Sequence, residues 1–402
     1  MKGDAASFQE AGGKWSHAFP ESSTVMSGLN KVLKKVFHEV KTMRHRRQFI
    51  QSLAGGVAGA FAGRGGLLHA AGQAPQSGNA ATRREVRVGG KRVKVVDVHA
   101  HATFPEVADV VKDGPLAKFA RNGGRPLGPD RIQELDKRGI DVQAIDVNTF
   151  WWYQADRDLA TKIVQTHDEG LTKWCAAHPD RFVALTSPAL QFPDLAAEQL
   201  EHAVKQLGMR GAAIGGHVNG EPLSAPKYDP FWAKAQELGV LVFMHPNNAE
   251  NIVKAEALQG AGDLGNVIGN PLETMLFLSH LIFDGTLDRF PGLKICGAHA
   301  GGYLPSYLGR NDVACDVRPN AKCVNKRKPH EYLHDQILAD SMIFSPEGIR
   351  HLVAEMGPSQ VVYGTDMPFV WPDTVDAILQ AGIPDSQKEA ILGGNLAKLL
   401  KL

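Results

Sequence analysis

From about residue 93 onward, short apolar, often β-branched runs alternate with longer stretches whose apolar positions recur at helical spacing. The short runs are Val93–Val98, Val142–Val147, Phe182–Thr186, Gly211–Ile214, Val240–Met244, Leu293–Gly297, Met342–Phe344 and Val361–Tyr363, and they predict eight strands. Between them, Pro129–Arg138, Arg157–His178, Leu195–Leu207, Pro230–Leu238, Leu272–Phe283 and Pro346–Glu355 predict helices. Strands separated by helices imply parallel βαβ units. Eight such units over residues 93–402 predict an α/β chain of the (β/α)8 TIM-barrel class, with a few loop insertions. A doubly wound open sheet is the alternative. The turn after the first run reads Asp97-Val98-His99, however, where a dinucleotide-binding sheet would carry G-x-G-x-x-G.

The pattern is different before residue 93. Residues 1–42 are polar and glycine-rich, with weak periodicity, and read as a disordered or upstream extension. Residues 43–74 open with Met43-Arg44-His45-Arg46-Arg47-Gln48-Phe49-Ile50 and continue into an Ala/Gly-rich apolar stretch. A twin arginine before a moderately hydrophobic segment predicts a twin-arginine export signal, with small residues near Ala70, Ala71 and Ala74 as cleavage sites. The stretch is too short to span a membrane, and Arg64 interrupts it. The expected location is periplasmic; the alternative is a cytoplasmic protein with a basic tail. Residues 75–92 read as a linker.

Charge adds an exclusion. Forty-four Lys and Arg against 43 Asp and Glu give a net +1, without a long basic run, so a nucleic-acid partner is not expected. A hydrophobic content of 43% is ordinary for a globular chain, which leaves room for a large core. The four cysteines form no C-x-x-C pair, so a cysteine zinc site is not expected. Cys315 and Cys323 would bridge only in an oxidising compartment; the expectation is that both are free thiols.

In a barrel of this class the reactive residues lie at the C-terminal ends of the strands. The first run ends in His99-Ala100-His101, and alternate residues of a strand face the same way, so both imidazoles can reach one ion. The fifth run ends at His245, the sixth leads into Ala298-His299-Ala300-Gly301-Gly302, and the eighth into Gly364-Thr365-Asp366-Met367-Pro368. One strand-end histidine would read as a structural hydrogen-bonding residue. Four strand ends carrying His or Asp point to a metal, and imidazole with carboxylate suits Zn²⁺, with Mn²⁺ or Fe²⁺ also compatible.

These motifs, with Pro179-Asp180-Arg181-Phe182, Ala213-Ile214-Gly215-Gly216-His217-Val218-Asn219 and Leu287-Asp288-Arg289-Phe290-Pro291-Gly292, resemble the amidohydrolase superfamily. The likeness is narrower toward its branch of aminocarboxymuconate-semialdehyde decarboxylases. The resemblance implies that His99, His101, His245 and Asp366 bind one divalent ion, and that His299 is the catalytic acid/base, with Asp366 sharing the proton work. It implies that Arg310 reaches the site of a neighbouring subunit to clamp a substrate carboxylate, and hence a homodimer. A second carboxylate-binding arginine would follow the first strand, where Arg121 or Arg125 stands, though a tryptophan expected nearby is missing. Trp151, Trp152 and Tyr153 follow the second strand, with Trp152 the candidate aromatic wall for a planar substrate. His217 and Asn219 are read as structural, Glu273 as a support for loop backbone or a ligand, and His167, His178, His202 and His351 as helix-surface residues.

Two reactions fit this set. One is decarboxylation of a carboxylated aromatic or muconate-semialdehyde-like acid, a small-molecule carboxylic acid substrate. The other is hydrolysis of an amide, lactone or ester by metal-bound hydroxide, with His299 and Asp366 moving protons. The extended motifs favour the decarboxylase.

Overall fold

The computed structural model describes residues 83–117, 126–147 and 151–402, all within a compact unit spanning Ser77–Leu402. Eight parallel strands run in chain order: β1 Val96–Asp97, β2 Val142–Val147, β3 Phe182–Ala184, β4 Gly211–Ile214, β5 Leu241–Met244, β6 Lys294–Gly297, β7 Ile337–Asp340 and β8 Val361–Val362. Each strand pairs with the next, with β3 and β4 joined through a bridge between Thr186 and Ala212. The last strand returns to the first: Val98 N–H donates to the Tyr363 carbonyl, and a parallel bridge joins Ala100 to Met367. This is the TIM barrel that the alternation predicts.

Helices follow the strands: α1 Pro129–Arg138, α2 Arg157–Ala177, α3 Pro193–Lys205, α4 Asp229–Leu238, α5 Asn270–Phe283, α6 Leu308–Val317, α7 Pro346–Met356 and α8 Val375–Gln380. Local chemistry sets several ends. Asp156 caps α2 by accepting from Leu159 N–H, and Ser345 caps α7 by accepting from Gly348 N–H. The helix α1 stops at Gly139, whose φ of +76° glycine adopts without strain.

The barrel interior is filled by alternate strand residues, among them Val96, Val142, Ala144, Leu241, Phe243, Leu338 and Val362, all buried. The next residues of the same parity, two positions on, are Asp146, His245, Asp340 and Gly364. Apolar residues therefore plug the barrel, and polar ones stand at its C-terminal mouth.

Three expectations are corrected. The seventh strand is Ile337–Asp340, not Met342–Phe344. Met342 is buried in the turn after it, where its N–H donates to Asp340, and Phe344 is 40% exposed with φ +56°. The folded body also takes in part of the segment read as a linker: Arg87–Val88 pairs antiparallel with Lys91–Arg92, and Val86 and Val88 are buried. Finally, Cys315 and Cys323 form a disulfide, with Cα atoms 5.9 Å apart; Cys175 and Cys296 are free. The pairing joins the last turns of α6 to the loop after it, a closeness that spacing alone does not reveal.

Candidate active site

The strand β1 carries an irregularity that sequence pattern does not show. Asp97 pairs with Gln143 of β2, and His101 pairs with Asp146, so β1 advances four residues while β2 advances three. The extra residue is a bulge, a device that re-aims side chains. It turns the histidines into the mouth although Val96 already fills the interior.

Three imidazole nitrogens converge on one carboxylate oxygen. Asp366 Oδ1 lies 3.1 Å from His99 Nε2, 3.2 Å from His101 Nε2 and 3.7 Å from His245 Nε2. All four residues are buried, and their ligand atoms lie within 4.8 Å of one another. His99 Nε2, His101 Nε2 and Asp366 Oδ1 have no hydrogen-bond partner, a costly state for buried polar atoms. Tetrahedral ligands ~2.1 Å from a cation stand ~3.4 Å apart, which matches this spacing. The four residues fit a divalent ion.

The outer nitrogens are tied down. His99 Nδ1 lies 2.6 Å from Asp340 Oδ2, His101 Nδ1 lies 2.5 Å from Asp146 Oδ1, and His245 Nδ1 lies 2.8 Å from the Pro246 carbonyl. Each acceptor keeps the proton on Nδ1 and turns the Nε2 lone pair inward, the tautomer that a metal needs. Burial opposes charge on His99, but Asp366 and Asp340 outweigh it and raise its pKa to about 10. Burial likewise opposes charge on His101, and Asp146 overcomes it in the same direction. That negative field draws a cation into competition with the proton.

Asp340 and Asp146 were not singled out from the sequence. Asp340 does more than hold His99: Oδ2 also accepts the His299 N–H at 3.1 Å, and Oδ1 accepts the N–H of Ala300 at 2.8 Å and of Met342 at 3.0 Å. It thereby fixes the turn after β6, where His299 and Ala300 take φ of +54° and +60°. A polar residue two positions after an interior apolar one was the available signal. The misplaced seventh strand hid it for Asp340.

His299 stands beside the four. Its Nε2 lies 3.8 Å from Asp366 Oδ2, and its ring centroid is 5.0 Å from that of His245 and 5.1 Å from that of His99. Its Nδ1 has no hydrogen-bond partner. Glu273 supports backbone, as expected: Oε1 accepts from Gly216, and Oε2 accepts from Asn247 and Ala249, at 2.9–3.2 Å. Burial pushes its pKa up to about 7 against those donors.

The chain belongs to the amidohydrolase family. Its residues 96–402 match the family model described as Amidohydrolase. The chain is 33% identical over 280 residues to a 2-amino-3-carboxymuconate-6-semialdehyde decarboxylase of Dictyostelium discoideum, covering 68% of this chain and 77% of that protein. It is 31% identical over 294 residues to a gamma-resorcylate decarboxylase of Rhodococcus jostii, covering 68% and 87%. Among solved structures, a dihydroxybenzoic acid decarboxylase of Polaromonas with bound manganese and 2-nitroresorcinol matches with a TM-score of 0.66 and 25% identity, over 77% of this chain and 97% of that one.

The other described candidates of this amidohydrolase stand on α6 and on the segment after β2. Arg310 is exposed on α6, near exposed Tyr307, Val313 and Val317. Arg121 and Arg125 lie outside the described residues. Trp152, with φ +60°, is turned toward His167, its ring 6.2 Å from that imidazole. Trp151 instead packs on the interior cluster of the barrel. His217 Nδ1 accepts from Gly220 N–H and Asn219 donates to the Tyr153 carbonyl, the structural roles expected of them. His167 is a correction: it is 5% exposed, enclosed between Phe104 and Trp152, not on the surface. His202 is exposed, and His178 and His351 are half-buried.

Proposed function

We propose that this amidohydrolase is a metal-dependent carboxy-lyase acting on a carboxylated aromatic or muconate-semialdehyde-like acid. The observation that carries the reading is the placement of His299 beside, and separate from, four residues suited to one divalent ion, in a chain whose named relatives are decarboxylases. His99, His101, His245 and Asp366 would hold the ion; Zn²⁺ fits the donor set, and Mn²⁺ suits it as well. When bound, the ion supplies a positive centre that orients the substrate oxygens and withdraws electron density from them.

In the reaction the bond between a ring or chain carbon and its carboxylate breaks. The electron pair stays on carbon, CO₂ leaves, and the carbon takes a proton. His299 and Asp366, 3.8 Å apart, form the pair that holds and delivers that proton. His299 Nδ1 is buried without a partner, so it is open to a substrate atom. The buried Asp366 is held well below the usual carboxylate range: burial pushes its pKa up, and His99 with the other imidazoles overcomes that effect.

Arg310 would clamp a substrate carboxylate in the site of a second copy. Its exposure in the single chain, next to exposed apolar side chains on the same helix, supports a homodimer that covers α6. Export through the twin-arginine signal to the periplasm is the accompanying proposal, and the Cys315–Cys323 disulfide favours an oxidising compartment.

The test is CO₂ release from metal-loaded protein given a panel of dihydroxybenzoates and aminocarboxymuconate semialdehyde. CO₂ from at least one is expected. Silence across the panel, with turnover of lactones or amides, would reassign the protein as a hydrolase.

A further inference from the structure

At the end of the barrel opposite the metal site, the starts of β1 to β4 frame a cleft of about 540 Å³. Small-molecule pockets span ~300–1,000 Å³, so this one has room for more than water. Its position follows from the register: Lys94 precedes β1, Asp141 and Val142 open β2, Arg181 and Val183 flank the start of β3, and Arg210 precedes β4. Along β2 roughly 13 Å separates Val142, in the cleft, from Asp146, which supports His101.

The lining is strongly cationic. Arg83, Arg92, Lys94, Arg181, Arg210 and Lys401 face two side-chain carboxylates, Asp141 and Asp180. Three of the cations are compensated. Arg83 and Arg92 reach Asp141 Oδ1 at 2.6 and 2.5 Å, and Arg181 reaches Asp136 Oδ1 at 2.9 Å. Asp141 is then fully used, because Oδ2 accepts the Val95 N–H. Lys94, Arg210 and Lys401 have no ion-pair partner among the described residues, and the half-buried Arg210 holds its Nε out of solvent without an acceptor. An orphaned buried donor on a guanidinium costs free energy unless a ligand satisfies it. Nothing in the metal chemistry of the opposite mouth uses these groups.

We propose that this cleft binds a phosphate group, free or carried by a larger molecule. A phosphate carries close to two negative charges near neutral pH and several acceptor oxygens. The planar donor fork of Arg210 matches two of those oxygens, while Lys94 and Lys401 supply the remaining charge without fixed geometry. A single carboxylate would neutralise one cation of the three and leave the others facing each other.

The experiment uses the full, metal-loaded chain and a Lys94→Gln/Arg210→Gln variant, neither residue belonging to the catalytic cluster. Inorganic phosphate is titrated in a calorimeter, and binding to vesicles containing phosphatidic acid, a phosphomonoester, is measured by co-sedimentation against phosphatidylcholine vesicles. Phosphate held at the metal centre persists in the variant, so only the variant-sensitive part counts. Saturable phosphate binding weakened at least tenfold in the variant supports the site with a soluble phosphate as its source. Vesicle binding weakened to the same degree, without a soluble event, supports it with a headgroup as the source. Equal binding by both proteins, or no binding of either ligand by wild type, overturns it. Should the double variant fail to fold, Lys401→Gln, a change at an exposed position, carries the same comparison.

Discussion

Replacing Asp340 with asparagine tests how the barrel sets the chemistry of its metal site. Asp340 is fully buried and accepts from four donors: His99 Nδ1 and His299 N–H on Oδ2, Ala300 N–H and Met342 N–H on Oδ1. Asparagine offers one acceptor oxygen. If that oxygen keeps Ala300 and Met342, the amide NH₂ turns toward His99, whose Nδ1 must then accept. The proton moves to Nε2 and occupies the lone pair that points at the centre beside Asp366 Oδ1. The His299 N–H also loses its acceptor, at about 1–3 kcal/mol for a buried donor. Supports of this kind change metal affinity by about 10–100-fold, or roughly 1.4–2.7 kcal/mol. Competition against a chromophoric chelator should show that loss for Asp340→Asn. Asp146→Asn should act through His101 alone and leave the turn at His299 intact, because Oδ1 of Asp146 accepts from His101 and its Oδ2 has no partner. Metal-free melting curves separate folding from affinity. A folded Asp340→Asn protein with wild-type metal affinity would refute the tautomer argument.

Four further outcomes are expected. His299→Asn should keep its metal, measured by elemental analysis, and lose CO₂ release by at least 100-fold; wild-type turnover removes His299 from the reaction. Burial holds the His167 pKa down to about 3, whereas an unfolded histidine titrates near 6.5. The unfolded chain therefore takes a proton below pH 6.5 that the folded one refuses, so stability is full above that pH and declines as pH falls toward 3. The loss is about 2 kcal/mol by pH 5, and His167→Leu should flatten denaturation midpoints measured between pH 7 and 5. Cys315→Ser should cost ~2.5 kcal/mol by the chain-entropy account of a loop this short, and a thiol count on denatured, unreduced wild type should find two thiols, not four. Gly364→Ala should loosen metal binding and lower the melting temperature, since a Cβ there would stand 2.9 Å from His99 Cβ and 3.0 Å from Asp340 Cβ.

What could be read in the sequence divides along a physical line. Parallel barrel strands are buried on both faces, so Leu241–Met244 is a continuous apolar run that announces itself, and Val142–Val147 is apolar but for Gln143 and Asp146. The residue that follows such a run at the mouth is visible with it, as His245 and Asp366 are. Contacts between distant segments leave no such trace. The pairing of His99 with Asp340, 241 residues away, depends on which residues end β7, and a three-residue apolar run, Ile337-Leu338-Ala339, competes poorly with Met342-Ile343-Phe344 nearby. The bulge in β1 is invisible for the same reason, because it exists only relative to β2. His167 shows the opposite failure. Its own helix is amphipathic enough to suggest an outward histidine, and only the packing of Phe104 and Trp152 against that face buries it.

The rule that connects these cases is parity. Interior apolar residues at 142 and 144, 241 and 243, 338, and 362 fix which later positions look into the mouth, namely 146, 245, 340, 364 and 366. Four of those five carry Asp or His, and the fifth is the glycine that leaves room for His99 and Asp340. Of these four, Asp146 and Asp340 lie within strands and His245 directly follows one, while Asp366 stands in the turn after β8, with φ +58°. The metal site is therefore built at the ends of strands, while two candidates for substrate recognition, Trp152 and Arg310, sit on the segment after β2 and on the outer helix α6. On that division the metal ligands are set by strand register, and the proposed choice of acid falls to segments whose sequence can change without disturbing them.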